Sequence, residues 1–368
     1  LQTPRLYFID AVRAFAILMM LQGHFIDTLL APEYKDLNNT AFQVWSYFRG
    51  ITAPTFFTIS GLIFTYLLLI AKRKGTVASR MKKGLWRGLM LIGIGYALRI
   101  PLYRWLNLEM GLSFFKVDVL QIIGLSLIIV VLMYQLLLRK TFIFSILMFL
   151  IGTAVFLCEP MYRNLELPNI PIPLSNYLSK SNGSIFTLIP WFGYMAYGAF
   201  IATIFYKYLA KHHFKTNTII GFILTGIILI YFSSHILMLL HFSLDVELFK
   251  EVAYYNYLFT RLGNVLILFA LFYLFEFLVR QPLILRIGQK TLSIYVIHFI
   301  IIYGSFTGLG LNQIIGPTLN PNMAIIGAIV FLIVVCFLSF YYMKPNKFIY
   351  QQIRKFLDNR KNNKAVLD

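Results

Sequence analysis

With 368 residues, 59% of them hydrophobic and only 13% charged, the chain exceeds the apolar fraction of ordinary soluble domains. Its net charge of +19 comes from Lys and Arg gathered between apolar runs rather than along one face, which argues against a nucleic-acid partner. The two cysteines, Cys158 and Cys336, lie in or at the end of apolar runs without metal-type spacing, so neither a disulfide framework nor a metal site is expected.

Apolar windows of about twenty residues recur along the whole length and describe an all-α polytopic membrane protein. In chain order they predict ten transmembrane helices, at 7–30, 43–71, 84–103, 118–138, 141–159, 186–209, 217–240, 256–279, 289–308 and 322–343. No signal-peptide pattern opens the chain, so the first span is expected to be retained. The connections at 71–87, 139–140, 206–215 and 280–290 are basic, whereas those at 31–40, 160–185, 245–251 and 309–321 are neutral or acidic. The segment holding Arg99, Arg104 and Lys116 is the exception. The positive-inside rule then predicts N-in and C-in, and an even number of spans agrees with both termini on one side. One transmembrane domain (1–343) is expected, followed by a basic cytoplasmic tail (344–368), with no soluble domain and no legible internal repeat.

The first span, "FIDAVRAFAILMMLQGHFID" (8–27), carries Asp10, Arg13, His24 and Asp27, each costly to place in hydrocarbon. Arg13 and His24 are eleven residues apart, about 16 Å of helical rise, and eleven steps of about 100° return to nearly the same azimuth. Asp10 and Asp27 lie one turn beyond them, near the same stripe. This stripe must face the bundle interior or a watery cavity. In the predicted orientation Arg13 sits in the inner half and His24 in the outer half. A structural account is available: an Asp10–Arg13 ion pair, with His24 as an interhelical hydrogen-bonder. The functional account makes His24 a general base or nucleophile, its ring oriented by Asp27 or by Asp118.

Further polar groups follow along the chain. Arg49 in "SYFRGITAP" and Arg261 in "FTRLGN" fall in the outer third of their spans, as substrate contacts or as snorkelling side chains. Asp118 and Gln121 in "VDVLQIIG" are one turn apart. "GQKTLSIYVIH" (288–298) carries Tyr295 and His298, and positions 291, 294 and 298 share a face.

Five motifs resemble the membrane acyltransferase superfamily: "DAVRAFAILMMLQGH", "APTFFTISGLIFTYLL", "KVDVLQIIG", "IPWFGYMAYGAF" and "IGQKTLSIYVIH", in that order. They are most similar to the branch containing heparan-α-glucosaminide N-acetyltransferase and its bacterial YeiB-like relatives, related to acyltransferase-3 proteins. The resemblance implies transfer of an acyl group, usually acetyl, from cytoplasmic acyl-CoA to a sugar hydroxyl or amine on the far side of the cytoplasmic (inner) membrane, without a metal. It assigns the catalytic histidine to His24 and its paired arginine to Arg13. The family's "RG" is here Arg13–Ala14, and no attached extracytoplasmic domain is read, which leaves the acceptor open.

The mechanism expected from both lines places acyl-CoA on the basic face, with Lys72, Arg73, Lys74, Lys82, Lys83 and Arg87 near its phosphates. The same residues are also what any positive-inside loop contains. The pantetheine arm would follow the Arg13 stripe to His24, which either deprotonates the acceptor or carries the acyl group itself. A proton-coupled transporter and a non-catalytic membrane subunit are the competing classes. A homodimer or a larger membrane complex stays open as the assembled form.

Overall fold

A computed structural model describes residues 6–102, 106, 111–137 and 139–341. The expected tail, 344–368, and Arg104 lie outside the described residues. The apolar runs fold as α1 (Tyr7–Leu29), α2 (Thr40–Arg73), α3 (Val77–Ala97), α4 (Val119–Leu136), α5 (Thr141–Leu157) and α6 (Leu188–Tyr208). They continue as α7 (Phe214–Leu244, with a π turn at Ile228–Phe232), α8 (Glu247–Tyr254), α9 (Tyr257–Leu274), α10 (Pro282–Gln289), α11 (Thr291–Tyr303) and α12 (Pro321–Tyr341).

Seven of these helices are long and apolar enough to cross a membrane: α1, α2, α4, α6, α7, α9 and α12. The pair α10 and α11, bent by 70°, makes an eighth if counted as one span. The chain is an integral, multi-pass membrane protein. Two of the expected ten spans fall outside that count. α5 has 17 residues, and α3 carries Arg80, Lys82, Lys83 and Arg87.

Two expected boundaries shift. The third helix begins at Val77, not at 84, and ends at Ala97, because its basic residues ride on an amphipathic first half that a hydropathy window rejects. The ninth element is not one straight span over 289–308. It breaks at Lys290, and the amphipathic α10 lies at a steep angle to the apolar α11.

An internal repeat is present that the sequence did not make legible. A Cβ added at Gly88 of α3 would stand 2.7 Å from the Gly124 carbonyl oxygen of α4, and one at Gly124 would stand 2.5 Å from that of Gly88. Gly226 of α7 and Gly263 of α9 meet in the same reciprocal way, at 2.9 and 2.8 Å. Each glycine is covered by an isoleucine of the facing helix: Ile128, Ile92, Ile267 and Ile230. All four sites read Gly-x-x-Leu-Ile ("GLMLI", "GLSLI", "GIILI", "GNVLI"). In the centre, Gly61 of α2 packs on the Met195 carbonyl of α6, and Gly198 of α6 on the Thr58 carbonyl of α2. Positions 61, 88 and 124 thus recur as 198, 226 and 263, a spacing of 137 to 139 residues. Two four-helix halves, α1–α4 and α5, α6, α7 and α9, pack face to face through α2 and α6. Small residues at crossings let backbones approach, and these alone preserve the repeat.

The last helices complete only the first half. α1 is covered by α10, α11 and α12. Gly288 of α10 lies against the Asp10 backbone, and Phe25 of α1 packs on Phe331 of α12 with ring centroids 5.3 Å apart. α5 instead exposes Phe142, Ile146, Phe149 and Leu150, a stripe suited to lipid. α1 has no side-chain cap of its own. The buried Glu276, at the end of α9, accepts the Tyr7 amide hydrogen at 3.1 Å and pairs with Lys215 (3.5 Å) and Arg280 (3.6 Å). A carboxylate at that helix start favours its positive dipole end.

Candidate active site

The polar stripe of α1 is met by α11. At the N-terminal end, Arg13 lies 3.8 Å from Asp10 and donates to the Thr291 hydroxyl at 2.9 Å. Two turns further along α11, His298 is fully buried, and its Nε2 lies 3.0 Å from His24 Nδ1. Thr291 and His298 are thus on the one face of α11 that looks at α1, as their spacing predicted. The Tyr295 ring packs edge-on against His298 at 4.9 Å, and Tyr303 lies 6.1 Å from the His24 ring.

This pairing constrains the histidine tautomers. His298 Nδ1 is buried and has no hydrogen-bond partner among the described residues, so the pair shares one proton between His24 Nδ1 and His298 Nε2, and the tautomer with that proton on His24 is the one that frees a base. Nε2 of His298 then accepts from Nδ1–H of His24. The remaining lone pair of His24 is on Nε2, the nitrogen for which no protein partner occurs among the described residues. A base with one nitrogen oriented and the other available is the arrangement proton transfer requires.

The two carboxylates expected to orient His24 are engaged elsewhere. Asp27 pairs with Arg49 of α2, and its carbonyl accepts from Lys35 at 2.8 Å. Arg49 also lies over Trp45, whose indole donates to Gln22 at 2.7 Å. Asp118 caps α4 in a reciprocal box with Gln121 and binds Arg99 at 2.8 Å. The Arg99 guanidinium lies 6.0 Å above the Phe299 ring, beside His298. Asp118 and Arg49 act on His24 through their charge, not through a hydrogen bond. Arg261 is further off: it donates to the Tyr47 carbonyl at 2.9 Å and covers the Tyr47 ring.

The basic residues at the other end sort into three groups. Lys72 donates to the Arg139 carbonyl at 2.6 Å, and Arg73 covers the Tyr206 ring, so both hold helix ends together. Lys82 and Lys83 are exposed. Arg80, half-buried, and Arg87, exposed like the two lysines, are two turns apart on α3, and the charge of Arg87 acts on both Arg80 and Arg13. Sequence reasoning missed Arg80, Arg99, Thr291 and Tyr303 as site residues. Arg80 had a signal in its spacing of seven from Arg87. Arg99 had one as a cation on the wrong side of the charge pattern.

A sequence model of the heparan-alpha-glucosaminide N-acetyltransferase catalytic family matches residues 5–243, nearly two thirds of the chain. The chain belongs to this family. It is accordingly a membrane acyltransferase, moving an acyl group from acyl-CoA to an extracytoplasmic acceptor. The match covers the first half and the second as far as α7, a segment that holds Arg13, His24, Arg80, Arg87 and Asp118. His298 lies beyond it. No curated protein matches the chain in sequence. Among the described residues, no three His, Cys, Asp or Glu side chains converge as metal ligands.

Proposed function

We propose that the enzyme transfers acetyl from cytoplasmic acetyl-CoA to a sugar hydroxyl or amine, with His24 as general base. The hydrogen bond between His24 Nδ1 and His298 Nε2 carries this reading, since it leaves His24 Nε2 as the proton acceptor. Ten spans with both termini cytoplasmic would place Arg13, Arg80 and Arg87 on the CoA side and His24 near the far side. The chain to residue 343 then acts as one domain, with a basic cytoplasmic tail.

In the reaction, His24 Nε2 takes the proton of the acceptor O–H or N–H as that atom attacks the thioester carbonyl. The C–S bond breaks, and the imidazolium returns the proton to the departing thiolate, so no external acid or base is consumed. The CoA phosphates engage Arg80 and Arg87, and Arg13 guides the pantetheine arm. Asp27, Asp118, Asp10, Arg49, Gln121, Arg261 and Tyr295 shape the passage; Lys82 and Lys83 contribute a diffuse field at the entrance.

The test is acetyl transfer by the purified protein. His24→Ala is expected to lower kcat by about 10²–10⁴-fold. Full transfer by that variant would remove His24 from the chemistry. An acetylated His24 trapped without acceptor would recast it as nucleophile.

A further inference from the structure

Apart from the reaction at His24, the turn between α6 and α7 gathers positive charge that carboxylates do not meet. The stretch from 167 to 244 contains no Asp or Glu, yet it holds Lys180, Lys207, Lys211 and Lys215. Lys215 pairs at 3.5 Å with Glu276, which Arg280 and the Tyr7 amide also engage. Lys207 and Lys211 are exposed and have no carboxylate within ion-pair distance among the described residues.

Two observations set this turn apart from a diffuse charge run. First, both ammonium groups are gathered on one ring. Lys207 Nζ lies 5.0 Å and Lys211 Nζ 4.9 Å from the centre of Tyr208, the last residue of α6. Like charges repel, so two cations held on one ring favour an anion shared between them. Arg73, 4.8 Å from the Tyr206 ring, adds a third cation at the same helix end. Second, the turn adjoins α7, the span least covered by protein among the seven. Phe205 of α6 packs on Phe214 and Phe222 of α7, with ring centroids 5.1 and 6.4 Å apart. Beyond them α7 exposes Ile220, Leu224, Ile227, Ile228 and Tyr231, which the helical period places along one face.

A bilayer supplies both complements at once: phosphate at headgroup level for the lysines, and acyl chain for the apolar stripe. Tyrosine and lysine together at a helix end suit the membrane–water boundary, where lysines attract anionic lipid. We propose that Lys207, Lys211 and Tyr208 bind the phosphate of an anionic phospholipid whose acyl chains lie along the exposed face of α7. The lipid relieves the repulsion between the two ammonium groups and ties the α6–α7 turn to the bilayer surface. This site uses different elements from Arg80 and Arg87 of α3, the residues assigned to the CoA phosphates.

The test counts lipids bound to the full chain in detergent by native mass spectrometry, with phosphatidylglycerol and phosphatidylcholine of the same acyl chains as competing probes. Wild type should favour phosphatidylglycerol about tenfold, the scale of two lysines at a headgroup. Lys207→Gln with Lys211→Gln should erase that preference, and Lys207→Arg with Lys211→Arg should keep it. Lys82→Gln with Lys83→Gln, an equal loss of charge on α3, should leave it within about twofold. Lys211→Gln alone should lower the preference about threefold and serves if the double variant fails to fold. Equal binding of both lipids by wild type, or a preference untouched by the Lys207 and Lys211 variants, overturns the proposal. An equal loss in the Lys82 and Lys83 variant overturns it too, by reducing the effect to a diffuse field. Displacement of phosphatidylglycerol by inorganic phosphate or CoA at equal concentration would assign the anion to a soluble phosphate and overturn the lipid.

Discussion

The two four-helix halves share a frame and differ in what their first helices carry. Gly88 and Gly124 in one half cross as Gly226 and Gly263 do in the other, with an isoleucine over each. Yet α1 holds Asp10, Arg13, His24 and Asp27, while α5, "TFIFSILMFLIGTAVFL", holds no ionisable group. The difference follows from what covers each helix. α10, α11 and α12 enclose α1 and offer Thr291 and His298 to its polar groups, so their charges and hydrogen bonds are met inside the protein. α5 has no such cover and turns Phe142, Ile146 and Phe149 outward, where a charge would meet lipid. The glycine crossings recur in both halves, and the last three helices enclose only one of them.

The largest effect expected from breaking this asymmetry, after loss of His24 itself, is at His298. His298→Ala should cut kcat by about 10–100-fold, less than the loss at a general base itself, with KM for acetyl-CoA unchanged. His298→Asn, whose amide oxygen can accept from His24 Nδ1–H, should recover part of it. A loss in KM rather than kcat, or no recovery, would make His298 a packing residue.

The shared frame is probed by Gly124→Leu and Gly263→Leu. Each forces a side chain into a backbone contact and should cost about 1–3 kcal/mol, read as a similar fall in melting temperature in detergent. The equivalence of the halves fails if one variant melts like wild type. Activity per folded molecule should fall further with Gly124→Leu, because α4 also carries Asp118 and Gln121.

The smallest effects lie at the basic end. Arg87→Gln should raise KM for acetyl-CoA about tenfold, as expected for a charge-assisted phosphate contact. Lys82→Gln and Lys83→Gln, on the same helix but without the charge effect on Arg13 that Arg87 has, should change it by less than about twofold. The reverse ranking would place CoA on Lys82 and Lys83 and not on Arg87.

Much of the site was legible because helical geometry is local. Spacing alone put Arg13 and His24 on one stripe and positions 291 and 298 on one face, and the structure joins those two faces. Partner choice was not legible. Asp27 and Asp118 were equal candidates for orienting His24, and each is held by an arginine of a neighbouring element, Arg49 and Arg99. The repeat escaped notice because only four Gly-x-x-Leu-Ile segments and two central glycines preserve it, amid apolar residues that lipid and packing allow to interchange.

The sequence by itself determined that the chain spans a membrane, where most of its helices lie, and that α1 bears an ionisable stripe. These are properties of composition and of a 3.6-residue period, which act within one helix. Only the tertiary structure decided that His24 meets His298, that the charge of Arg87 acts on Arg13, and that one half of a repeated frame encloses its first helix while the other leaves it exposed. Such pairings join residues up to 274 positions apart, and they are set by how closely glycines let the helices approach.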